Sequence, residues 1–222
     1  MTQESFRNIL KDTSDSVEKA GCLSSLPFVL RPILKTPNWG GWLCFDVLNY
    51  RKLVMAEEIP VFFVDPNSNP VAVKIVGRAS FQNVMPLQDF LKDAMKTGSR
   101  SYVFDFSCCT GMDSTVLGVL AGCALELRKL EPKGSLVLSH LSERNTTLVR
   151  GLGLHRIATL DLGDQAFDAS AVTESLDAGQ LEELDSARLC LAAHEKLVET
   201  DGGNKRKFQD VISYLRNRIS EG

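Results

Sequence analysis

Between residues 61 and 160 the apolar positions switch repeatedly between a period of two and a period near 3.6. Val61–Val64 and Val71–Val76 are short runs rich in valine, separated by Asp65-Pro-Asn-Ser-Asn-Pro70, a strong turn sequence that predicts two strands joined as a hairpin. From Gln82 to about Lys96 the residues Val84, Leu87, Phe90, Leu91 and Met95 fall on one helical face, and Gly98 supplies the stop. Ser101–Phe106 is the next strand, followed by a short loop. Ser114–Leu130 then reads as a helix with Val116, Leu117, Leu120, Ala124 and Leu127 at helical spacing, ended by Pro132 and Gly134. Ser135–Ser139 is a strand, Ser142–Gly151 a short helix with Ser142 as a natural N-cap, and Ile157–Leu160 the last strand.

Strands alternating with helices through short connections imply right-handed crossovers and parallel strand pairs. The expected fold is α/β, a mixed sheet that is mostly parallel, with one antiparallel hairpin and helices on its faces. The flanks differ from this pattern. Residues 1–54 hold Trp39, Trp42 and three prolines without a sustained period, and read as an irregular N-terminal extension, with Met55 well placed to begin the domain. Residues 55–165 form the domain, and 166–179 are small and acidic like a linker. Residues 180–222 form two amphipathic helices, Gln180–Glu199 and Lys205–Ile219, around the turn Thr200-Asp-Gly-Gly203. Phe208, Val211, Ile212, Leu215 and Ile219 make a stripe on the last helix. Two short helices are marginal alone, so they need each other, the main domain, or a second copy of the chain as a homodimer partner.

Composition narrows the classes without choosing among them. The net charge of −3 over 222 residues leaves no electrostatic footprint for nucleic acid. No apolar run approaches the roughly 18 residues of a membrane span, and the N-terminus lacks a signal-peptide pattern, which points to no membrane and a cytoplasmic protein. Six cysteines form no C-x-x-C pair and no zinc-ligand spacing with histidine, so they read as reduced thiols acting as small hydrophobes, with no metal and no cofactor.

The candidate chemistry lies at Asp113-Ser114. The aspartate is placed to cap the helix, and the serine presents a hydroxyl at its first turn, beside unpaired backbone N–H groups. No histidine or lysine lies close in sequence to activate that hydroxyl, and no G-x-S-x-G surrounds it, so a phosphoacceptor fits better than a nucleophile and no catalytic residue is assigned. Thr115 is the weaker phosphoacceptor candidate. Gly118, Ala121 and Gly122 form a small-residue stripe that lets either another protein or the underlying sheet come close. His140, His155 and His194 are far apart and read as surface or packing residues. Asp105, at a strand end, reads as a cap for the following loop.

Asp113-Ser-Thr-Val-Leu-Gly-Val-Leu120 resembles the signature D-S-[ST]-G-L-G of STAS domains, the fold of bacterial anti-sigma-factor antagonists. Asp105 precedes it, and Gly134-Ser-Leu-Val-Leu-Ser139, Ser142-Glu-Arg-Asn145 and Gly151-Leu-Gly-Leu-His-Arg-Ile157 follow in the family's order, so the resemblance covers about residues 58–165. Val116 stands where the family usually has glycine. The resemblance implies a STAS-like fold with a C-terminal helical appendage, and a regulatory binding protein rather than an enzyme. It implies a partner that is an anti-sigma factor with serine kinase activity, release on phosphorylation of Ser114, and a phosphatase that resets the switch. The partner-binding face would comprise Asp113, Thr115, Val116, Gly118, Ala121 and Gly122. The alternative within the same family is a non-phosphorylated scaffold subunit of a transport or signalling complex.

Overall fold

The computed structural model describes residues 60–161, 172–177 and 182–221. The expectations for residues 1–54 and for a start at Met55 lie outside these. Ile59–Gly222 is one compact unit. Its elements in chain order are strand β1 (Phe62–Asp65), β2 (Val71–Ala79), helix α1 (Met85–Lys96), β3 (Ser101–Met112), α2 (Ser114–Lys129) and β4 (Ser135–Ser139). These are followed by α3 (Glu143–Gly151), β5 (Thr159–Asp161), β6 (Glu174–Leu176), α4 (Glu183–Thr200) and α5 (Asn204–Glu221).

The described strands form a mixed sheet in the order β5-β4-β3-β2-β1-β6. β2, β3, β4 and β5 are parallel, joined by the helical crossovers that the alternating periods predict. β1 pairs antiparallel with β2, Phe62 facing Ile75, across the Pro-Asn-Ser-Asn-Pro turn. The other edge of β1 takes β6, Val64 facing Glu174. That strand sits inside the stretch expected to be linker, and it covers an edge that would otherwise expose unpaired backbone groups.

Three boundaries differ from the sequence pattern, each for a local reason. α1 starts at Met85 rather than Gln82 because Pro86 occupies its first turn. A proline there has no N–H to lose, but its ring blocks a further turn upstream. β3 runs on through Cys108–Met112, the expected loop, and Met112 pairs with Ala79 through two irregularities in the ladder. Gly77 lies at the second of these with φ 77, a conformation that favours glycine. β5 begins at Thr159, since Gly153, also left-handed, starts a 3-10 turn over Leu154–Arg156.

The main core lies where α2 meets the sheet. Phe62, Ile75, Tyr102, Phe104, Phe106, Leu117, Leu120, Leu127 and Leu138 are all at or below 1% exposure there. Leu189 and Leu197 of α4 belong to the same cluster, so the C-terminal pair packs onto the domain. Full burial of a leucine is worth roughly 1.5–3 kcal/mol. The turn between α4 and α5 is tied down separately. The Asn204 side-chain amide donates to the carbonyls of Leu152 (2.9 Å) and Leu197 (2.8 Å), Lys207 Nζ donates to Gly151 O, and Arg156 pairs with Asp201 at 3.0 Å. Along the hairpin, Arg216 pairs with Glu195 and Arg218 with Glu183.

Among the cysteines, Cys109 and Cys123 are free and buried and Cys190 is free and half-buried. Burial pushes the Cys123 thiol up to about 12.

Candidate functional site

The start of α2 is built by Asp113. Its backbone is extended, and its carboxylate accepts from the N–H groups of Thr115 (3.0 Å) and Val116 (3.1 Å), two of the donors a helix start leaves unpaired. The second carboxylate oxygen accepts from Phe81 N at 2.8 Å, tying the segment after β2 to the same point. Asp113 is thus a joint between two crossovers as well as a cap. It leaves Ser114 half-buried at the positive end of a helix of 16 residues.

His194 of α4 lies on that hydroxyl, with Nε2 2.9 Å from Ser114 Oγ. Its other ring nitrogen, Nδ1, is 2.7 Å from the backbone carbonyl of Cys190. A carbonyl can accept a hydrogen bond and never donate one, so Nδ1 carries the proton. In the neutral ring Nε2 is then the acceptor and the serine hydroxyl donates to it. The imidazole is 6% exposed and meets the Phe208 ring of α5 edge-on, centroids 4.8 Å apart. Of the two readings expected for His194, surface or packing, the structure shows packing, and it adds a contact with the Ser114 hydroxyl that was not expected. No local motif could have found this partner, since the contact depends on how α4 docks.

The docking is close and parallel. Thr115 Oγ1 reaches Cys190 Sγ at 3.6 Å, Gly118 faces Ala193, and Gly122 faces Lys196, so contacts advance in the same direction along both helices. A Cβ added at Gly118 would run into the backbone carbonyl of Ala193. One added at Gly122 would meet the Lys196 stem at 3.4 Å. Farther along, Lys196 Nζ lies 3.6 Å from Glu126 and 2.9 Å from Glu199. The bond to Glu199, with help from Glu126, pushes the Lys196 ammonium pKa up; the bond to Lys129 leads in holding the Glu126 carboxyl down. Glu126 is exposed and Lys196 half-buried, and a solvent-accessible pair of this kind contributes about 0–1 kcal/mol. An apolar groove of about 420 Å³ remains beside this contact, between α1, α2 and α4, lined by Met85, Leu91, Met95, Val119 and Leu189 among others.

The structure therefore places the candidate residues in two groups. Asp113, Ser114, Thr115, Gly118 and Gly122 lie along the line where α4 sits. Val116 and Ala121 are at 0% exposure and offer no surface to an external protein in this arrangement. Thr115, the weaker phosphoacceptor candidate, is 3% exposed. Asp105 is away from this face. Its carboxylate accepts from Ser107 N and Oγ, as a loop cap would, and pairs with His140 Nδ1 at 2.9 Å. Among the described residues no group of three or more His, Cys, Asp or Glu is arranged to hold a metal, and no helix is long and apolar enough to cross a membrane.

Residues 62–164 match the family profile described as Mlab, STAS domain. Among the solved structures similar to this chain are two of SpoIIAA. The anti-sigma factor antagonist SpoIIAA in its unphosphorylated form shares 18% identity at a TM-score of 0.40, over 50% of this chain and 94% of that one. The Bacillus cell fate determinant SpoIIAA in its phosphorylated form shares 19% identity at 0.40, over 49% and 98%. No curated protein matches the chain.

Proposed function

Residues 62–164 of this chain form a STAS domain, and from that premise we propose that the protein is a regulatory binding module acting as an anti-sigma-factor antagonist. Its partner is an anti-sigma factor with serine kinase activity, its recognition face is the start of α2, and Ser114 is the phosphoacceptor. The observation that carries this reading is the Asp113 cap. It holds the helix start through Thr115 N and Val116 N and leaves the Ser114 hydroxyl beside the positive helix end. A phosphate there carries about −1.5 to −2 charges at neutral pH and is favoured by the helix field, so modification leaves the helix formed and changes what can dock on it. In the transfer, Ser114 Oγ bonds to the γ-phosphorus of ATP held by the kinase. The bond from that phosphorus to ADP breaks, and the hydroxyl proton passes to a base on the kinase. The unmodified face binds; the phosphorylated face releases.

The Ser114–His194 pair resembles the serine–histidine half of a hydrolase site, but its surroundings do not serve catalysis. The histidine is oriented by a backbone carbonyl and not a carboxylate. The N–H groups of Thr115 and Val116, which would stabilise an oxyanion at this helix start, are already bound to Asp113. A scaffold subunit without phosphorylation is the second reading. It is favoured by one observation, the engagement of the Ser114 hydroxyl by His194.

The test is capture of the kinase-type partner from native lysate by the full chain, compared with Ser114→Ala and Ser114→Asp. Antagonist function predicts that Ser114→Ala binds as well as the parent and Ser114→Asp binds more weakly. Equal capture by all three supports the scaffold.

A further inference from the structure

The α2 face that would meet an external protein already has an occupant, and that occupant is part of the same chain. α4 lies along it from Ser114 to Glu126. It takes up the Ser114 hydroxyl through His194, packs Cys190 on Thr115, presses Ala193 on Gly118, and lays Lys196 over Gly122 toward Glu126. Along this line the contacts to α2 are made by hydroxyl, thiol, imidazole, small side chains and a partly exposed ion pair, the polar and small-residue character of an exchangeable interface, while Leu189 and Leu197 of the same helix reach the core. The groove beside it shows that α4 fills only one flank of the α1–α2 surface. The hairpin is also held at a second place, where Asn204 and Lys207 bond to the end of α3 and Arg156 pairs with Asp201. This second attachment fixes the α4–α5 turn and the last turn of α4, where Asn204 also bonds Leu197 O, and it lies apart from the contacts around Ser114.

We propose that α4 is a removable intramolecular cover of the α2 face and gates access to Ser114. This rests on reading α2 as the recognition face. In the closed state a kinase meets a hydroxyl that is half-buried and already donating to His194. An external protein must compete with α4 for the same line of small residues, so its apparent affinity falls by the fraction of chains that are open. The cover also sets the character of the competitor: a helix running parallel to α2, with small residues where Cys190 and Ala193 now lie and a cation near Glu126.

Thiol accessibility tests this without any kinase. In the full chain carrying Ser114→Cys, N-ethylmaleimide labelling at position 114 is followed by peptide mass spectrometry, with buried Cys109 of β3, bonded to Gly111 and Asn145 and outside the α4 groove, as the reporter of an intact domain. Adding Ala193→Glu forces a charged side chain against Gly118, and labelling at 114 should accelerate by about tenfold or more, because local reactivity follows the open population. Lys196→Glu, which sets a carboxylate against Glu126, should act in the same direction by a few-fold. Cys109 should stay protected in both. Unchanged labelling at 114, or Cys109 becoming reactive together with it, overturns the proposal, the latter by showing that α4 cannot leave without unfolding the domain. Either result is independent of whether a kinase ever modifies Ser114.

Discussion

The Ser114 hydroxyl donates to His194 Nε2 across 2.9 Å, although 80 residues separate the two in sequence. The pair joins the first turn of α2 to a C-terminal hairpin outside the matched segment 62–164. On the proposal that α4 covers this face, whatever modifies the hydroxyl must first part it from the histidine.

The Asp113 carboxylate holds three backbone N–H groups, those of Phe81, Thr115 and Val116. Asp113→Ala should lower the unfolding free energy by about 1–2 kcal/mol, the upper part of the range for a lost N-cap. Urea denaturation of the two proteins measures it; an unchanged midpoint would show that the cap contributes nothing here.

Gly118→Val places a branched side chain where only a hydrogen fits beneath Ala193. Hydrogen exchange should then show faster exchange over 183–200 while β3 and β4 keep their protection. Protection of α4 equal to that of the parent would mean that the two helices are not in contact at this position.

Phe208 meets the His194 ring edge-on from α5. Phe208→Ala should cost on the order of 1–2 kcal/mol, a part of the value for a fully buried aromatic. It should also loosen α4, since the imidazole loses its support. Thermal unfolding combined with exchange over 183–221 checks both effects.

Burial holds the Cys123 thiol at about 12 against an ordinary value of 9.0, and burial likewise raises Tyr102 to about 12 from 10.0. Both groups keep protons in the folded chain that the unfolded chain releases. Their stabilisation is therefore complete below about pH 9 and is lost as pH rises toward 12, at up to roughly 1.4 kcal/mol per pH unit per group. Cys123→Ala should flatten the alkaline fall in stability seen by denaturant titration. An identical alkaline profile would show that the thiol does not titrate in this way.

Much of the domain was legible because its signals are local. The valine-rich runs, the Pro-Asn-Ser-Asn-Pro turn and the Asp113 cap each act within a few residues, and β4 spans Ser135–Ser139 as the pattern predicts. The place of Ser114 in the first turn of α2 was legible for the same reason. Features that depend on distant partners were hidden. β6 forms in an acidic, small-residue stretch because β1 offers it an unpaired edge. β3 extends through Cys108–Met112 because β2 runs beside it. His194 looks like any helical histidine until Ala193 seats on Gly118 and brings the ring to Ser114. Gly118 and Gly122 read as a surface for a partner or as a seat on the sheet, and they face neither: the element against them is the chain's own α4.

The most direct test of the account is phosphate localisation on the intact chain. The full-length protein is incubated with ATP and its captured kinase-type partner, and the site is mapped by mass spectrometry. The account predicts one phosphate, on Ser114, lost in Ser114→Ala. Phosphate found solely at other residues, or none on the chain while the partner remains bound, would contradict it.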